Sequence, residues 1–168
     1  MIIRALALAG GVLGGATASQ FPEYAQQYTQ RLGGAVDALG QVVADFDASA
    51  AAAGFDRAQA LAQMQGTAFL ERRRADMERT FERHARLSTD LEVLQQSGPF
   101  MRAYHASRLT DGEVAQAALA AYAPAVPITM PGLVFAGTGF LAGLIAVWAA
   151  LRALIWPLRR RRSSAQGA

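Results

Sequence analysis

The sequence predicts an all-α membrane protein in which two transmembrane helices flank a periplasmic antiparallel helical hairpin domain. Three observations carry this. The two ends of the chain are long apolar runs, all 13 acidic residues lie between them from Glu23 to Glu113, and the middle repeats its apolar residues at helical spacing without a strand-like alternation. The spacing and composition divide the 168 residues into a first span at 1–20, a helical domain at 21–123, a proline-rich linker at 124–130, a second span at 131–158 and a basic tail at 159–168.

The second span is the clearer of the two. "PGLVFAGTGFLAGLIAVWAAL" (131–151) carries no charge, and its 21 residues reach roughly 30 Å as a helix, the thickness of a bilayer core. Trp148 and Trp156 suit the interfacial belt, Arg152 can extend to the same level, and Arg159, Arg160, Arg161 and Arg162 mark a cytoplasmic end. Pro124, Pro127 and Pro131 break any helix running into the span, and Pro131 is tolerated in its first turn, after Thr129 or Met130.

The first span admits two readings. Arg4, a short apolar core and Ala16-Thr17-Ala18 form the pattern of a secretion signal cut after Ala18. Against cleavage, Gly10, Gly11, Gly14 and Gly15 make two overlapping GxxxG spacings, matched on the second span by Gly139 and Gly143 with Gly132 and Ala136 before them. Small residues on both helices let two backbones approach closely in lipid, so retention is the preferred reading. Arg4 and the four terminal arginines on the inside place both chain ends in the cytoplasm, with residues about 20 to 128 outside the inner membrane of a bacterium.

Charge supports the same division. The middle holds ten arginines against 13 acids, about −3, and the flanks hold Arg4, Arg152 and the four terminal arginines, +6; the net +3 and high pI therefore belong to the tails and do not indicate nucleic-acid binding. The chain has no cysteine, which excludes disulfides, thiolate metal sites and cysteine nucleophiles.

Within the middle, Phe21, Tyr24, Tyr28, Leu32, Ala35, Leu39, Val42 and Phe46 step by three and four, an amphipathic helix close to coiled-coil heptad character with a kink or fresh start at Pro22. Gly54 is its expected terminator, and Asp56 with Gln59 an imperfect capping box for a second long helix running to about Gln96, with Gly66 a point of interruption. "SGP" at 97–99 breaks that helix, a short one follows over 99–106, and Thr110 with Glu113 form the capping box of a last helix to about Tyr122.

Catalytic chemistry is poorly supplied. His84 lies on the apolar stripe between Phe81 and Leu87, and His105 sits in "RAYHASR"; neither belongs to a metal-ligand spacing such as HExxH. Glu78 and Glu82 are four apart, but they stand in "ERRRADMERTFERHAR", the look of a solvated helix laced with ion pairs. No phosphate-cradling glycine loop or nucleophile turn is present, and neither span holds an internal charge for an ion pathway. No enzyme activity, metal or cofactor is expected. Arg72, Arg73 and Arg74 with Phe81 and His84 make the candidate partner surface.

The stretch "SQFPEYAQQYTQRLGGAVDALGQVVADFDASAAAAG", most specifically Gln20–Gly34, resembles an uncharacterised domain-of-unknown-function family of proteobacterial two-span inner-membrane proteins. The resemblance implies a helical membrane protein with a retained first span and carries no catalytic residue. The expected partners are membrane lipids and another membrane protein or a second copy. The expected role is an accessory or scaffold subunit of a larger membrane assembly, with an envelope sensor or regulator as the alternative.

Overall fold

The computed structural model describes residues 1–124, 126 and 128–164, with side chains as far as Leu154. Among them every regular element is helical: α1 (Ile2–Ser19), α2 (Phe21–Ala52), α3 (Arg57–Gln63), α4 (Ala68–Gln96), α5 (Pro99–Tyr104), a 3₁₀ turn (Ala106–Arg108), α6 (Gly112–Ala120) and α7 (Met130–Ser164). The chain divides into two compact units, Met1–Tyr24 with Ala123–Ala168, and Ala25–Tyr122.

The first unit is built on α1 and α7. Two helical stretches are long and apolar enough to cross a membrane, one beginning at Ile2 and one at Met130–Leu154. Only Gln20 separates α1 from α2, and its N–H turns back to the Thr17 carbonyl at 3.2 Å. Two residues on, Pro22 has no N–H to give, which is why the ladder is interrupted here. α7 opens where Thr129 Oγ1 accepts the Gly132 N–H at 3.3 Å, with Pro131 in the first turn. It extends to Ser164 instead of stopping near 158, so the backbone at the four terminal arginines is helical; their side chains and that of Trp156 lie outside the described residues.

The second unit gathers α2, α4 and α6 around Tyr28, Leu32, Leu87 and Leu94, which are fully buried, with Met77, Leu109, Val114 and Ala118 around them. α2 and α4 run antiparallel. A Cβ on Gly33 would meet Leu91, one on Gly40 would lie 3.3 Å from the His84 ring, and Phe46 packs edge-on against Phe81 with ring centroids 5.2 Å apart.

The end of α2 shows how sequence dictates its turn. The Phe55 N–H bonds the Ala50 carbonyl at 2.9 Å and the Gly54 N–H the Ala51 carbonyl at 3.0 Å, a Schellman closure that needs φ of +79° at Gly54. Gly54→Ala therefore destabilises this unit by about 1–2 kcal/mol, read as a lower unfolding midpoint. Asp56 then caps α3 with both halves of the capping box formed: the Gln59 N–H reaches Asp56 at 2.8 Å and the Asp56 N–H reaches Gln59 Oε1 at 2.9 Å.

The interruption expected at Gly66 is a full break: Gly66 takes φ of +93° and Thr67 recaps the chain by accepting the Leu70 N–H, so the stretch forms two helices. The expected last capping box requires correction. The last helix is capped by Asp111 and not by Thr110: Asp111 accepts the Val114 N–H at 3.2 Å, whereas the Thr110 hydroxyl is spent on the Ser107 carbonyl. Glu113 does not reach back to the cap; it pairs with Arg83 at 2.7 Å. A carboxylate one residue later, with arginines at hand, outcompetes the hydroxyl as cap.

Candidate functional site

In the first unit the predicted small residues line the contact between α1 and α7. A Cβ built on Gly15 would lie 2.8 Å from the Ala136 carbonyl, and one on Gly11 would lie 3.1 Å from the Phe140 carbonyl. Gly14 and Gly139 face each other's carbonyls and Gly10 faces the Val147 side chain, all closer than a real Cβ could stand, and a Cβ on Gly10 would also lie 3.2 Å from the Gly143 carbonyl. Only hydrogen fits where Gly14 and Gly139 meet. Gly132 is buried near the start of α7, one turn before Ala136. The order of contacts, Gly10 with Gly143, Gly14 with Gly139 and Gly15 with Ala136, makes the helices antiparallel. Gly137, which faces away, has nothing within 4 Å.

The ends of the pair differ. Arg4 is exposed in the first turn of α1, and Arg152 lies over the Trp148 ring at 4.7 Å from its centroid. This is a cation–π contact between the two residues expected at one interface. At the opposite end Phe21 packs on Phe135 with centroids 5.5 Å apart, a contact the periodicity of either segment alone does not disclose.

The second unit holds a polar hub that sequence reasoning missed. The Tyr28 ring is fully buried, and its hydroxyl accepts the Asp111 N–H at 3.1 Å. The Asp111 side chain is 9% exposed and takes Arg83 at 3.0 Å and Arg86 at 3.4 Å. Nearby Arg108 pairs with Asp90 at 2.6 Å, and Arg102 donates to the Leu94 carbonyl at the end of α4. Burial pushes the Asp111 carboxyl up, but the Val114 N–H, the Arg83 hydrogen bond and the charges of Arg83 and Arg86 outweigh it and hold the group below the usual carboxylate range. Glu113, then Asp111, hold the Arg83 guanidinium above its ordinary value.

The sign of that effect sets a pH dependence. A carboxyl depressed on folding contributes its stability above the unfolded pKa of about 3.9 and loses it as pH falls through the folded value. The stability difference between the wild type and Asp111→Asn accordingly shrinks as the pH drops below about 4, a result thermal melts at pH 3 and pH 6 will check.

The candidate partner residues are placed unevenly. Phe81 is engaged edge-on by Phe46 and carries the Arg57 guanidinium over its ring, 4.6 Å from the centroid. Arg57 is itself held by Asp47 at 2.5 Å, and that hydrogen bond lowers the Asp47 carboxyl. His84 is half-buried beside Gly40, with Ser88 Oγ 3.4 Å from its Nε2. These two therefore serve the α2–α4 packing. Arg72, Arg73 and Arg74 remain on α4 at the surface, with Arg74 3.6 Å from Glu78 and Arg73 4.0 Å from Asp76. His105 stacks edge-on with Tyr104. Among the described residues no three His, Asp or Glu side chains gather as metal ligands would.

The signal for the hub was partly present: "TDGEV" is an Asp-Gly step ahead of a helix. Which arginines of "ERRRADMERTFERHAR" would reach it depends on where α6 returns to α4, which no local pattern encodes. No curated protein and no solved structure matches the chain. The matching family model is described as a protein of unknown function (DUF2937) and spans residues 2–160, so the chain belongs to that uncharacterised family.

Proposed function

We propose that this protein is a non-enzymatic, two-span inner-membrane protein that displays its helical domain in the periplasm and serves as an accessory or scaffold subunit of a larger membrane assembly. Support for the membrane half of this reading comes from the first unit: Leu6, Leu13, Leu133, Leu141 and Ile145 face outward from a helix pair whose inner face is glycine, the reverse of a water-soluble pair. The basic residues at Arg4, Arg152 and Arg159–Arg162 support an orientation with both termini cytoplasmic.

The observation that carries the scaffold reading is the α3 and early α4 part of the second unit. α3 buries no residue and α4 none before Met77, so Phe69 stands 70% exposed beside Arg72 and Arg73, outside this chain's own core. An exposed aromatic next to arginines is the composition of an interface anchor. A photo-crosslinking residue at Phe69, activated in native membranes, should trap one defined neighbour, and Phe69→Ala with Arg72→Ala should release that neighbour while leaving the thermal melt unchanged. A strict monomer after gentle extraction, with no adduct at Phe69, would count against the scaffold role. The envelope-sensor alternative finds its support in the polar cleft of about 500 Å³ over Gly33 and Gly34, rimmed by Gln30, Asp37, Gln95 and Arg102.

A further inference from the structure

We propose that the Ala18–Ser19 peptide bond is a latent signal-peptidase site which the glycine seam keeps closed, so that the seam decides whether the chain has two anchors or one. The inference rests on the two-span reading above and deepens it. Ala16-Thr17-Ala18 follows an apolar core and a basic first turn, the composition that such a peptidase recognises.

Recognition also needs geometry. A peptidase of this kind takes its substrate as an extended strand, with the small side chains at the first and third positions before the cut entering shallow pockets. Here the same residues are wound into the last turn of α1. Ser19 is 6% exposed and its hydroxyl donates to the Ala16 carbonyl at 2.8 Å. The Gln20 N–H holds the Thr17 carbonyl, which closes the last turn of α1 around the bond, and the Tyr24 N–H holds the Gln20 carbonyl at 3.0 Å as α2 begins.

The seam adds a second lock. The Ala18 methyl occupies the space that a Cβ on Gly139 would need, and the Gly14 carbonyl takes the rest. Presenting the bond therefore requires unwinding the final turn of α1 and withdrawing Ala18 from α7. Once presented, hydrolysis is ordinary: water adds across the amide, Ala18 leaves as a carboxylate, Ser19 becomes the new terminal amine, and residues 1–18 are released.

A larger side chain at position 139 pushes Ala18 off α7 without touching the recognition sequence. The full chain is expressed in bacterial cells, extracted from membranes, and read by intact mass and N-terminal sequencing. The wild type is expected to keep residues 1–18. Gly139→Leu is expected to yield more than half of its molecules beginning at Ser19, and Ala18→Phe in the same background to restore the uncut mass. A pulse-labelled sample taken within the first minute of synthesis gives the same reading if the open form is later degraded. Gly139→Leu remaining uncut, a new terminus at any other residue, or a cut that Ala18→Phe does not block would each overturn the proposal. A wild type already lacking residues 1–18 would instead defeat the two-span reading itself.

Discussion

Gly14→Leu parts α1 from α7 and weakens their association by about 3 kcal/mol, near the upper range for overpacking a close contact, whereas Gly137→Leu leaves it unchanged. The asymmetry follows from where the added carbons go. A Cβ on Gly14 lies 3.2 Å from the Gly143 Cα and against the Gly139 carbonyl, both of them backbone atoms that no rotamer change can move aside. A Cβ on Gly137 meets nothing within 4 Å. Close backbone approach is what holds two helices together where lipid tails are as apolar as leucine, so losing it removes the main attraction between them. The comparison is read as the detergent concentration or temperature at which each variant loses the α1–α7 contact. Equal midpoints for the two variants would mean that the glycines do not make the interface.

Asp111→Ala carries the largest expected loss in the other unit, about 2–3 kcal/mol when a cap worth about 1 kcal/mol is combined with partly exposed ion pairs. Three functions meet at this residue. It caps α6, it neutralises Arg83 and Arg86, and its N–H reaches the hydroxyl of buried Tyr28. Alanine keeps only the last. Arg83 is 28% exposed and retains Glu113, which moderates the cost of leaving it without Asp111. For a unit of this size the loss corresponds to a fall in midpoint of roughly 10 °C or more. Asp111→Asn, which preserves the cap and removes the charge, should fall about halfway. A melt of Asp111→Asn as low as that of Asp111→Ala would assign the whole effect to charge.

What was legible in the sequence and what was not divides along physical lines. Features decided within one helical turn were readable: the Gly54 terminator, the Asp56–Gln59 box, the break at 97–99 and the GxxxG spacings each state their own geometry. Features decided by competition were not. Thr110 and Asp111 are both good caps, and the choice between them falls to Arg83 and Arg86, more than twenty residues away in the chain. Phe81 and His84 lie on an apolar stripe that reads equally well as an internal or an external contact; only the approach of Phe46 and Gly40 on α2 assigns it. The glycines announced that α1 and α7 could meet. Their register was not written in either segment, because it depends on which small residues oppose which carbonyls.

That register is also the most direct test of the two-span account. The chain has no cysteine, so introduced thiols stand alone. Extending the contacts from Gly10 opposite Gly143 by two turns places Ile3 level with Ala150 and Leu151. Ile3→Cys with Leu151→Cys, treated in native membranes with a short bifunctional thiol reagent, should become joined, and the two halves should stay together after proteolysis at an engineered site beside Gly66. Ile3→Cys with Thr129→Cys, separated by about 30 Å along α7, should not join. Failure of the first pair to link, or equal linking of both, would contradict an antiparallel, retained first span.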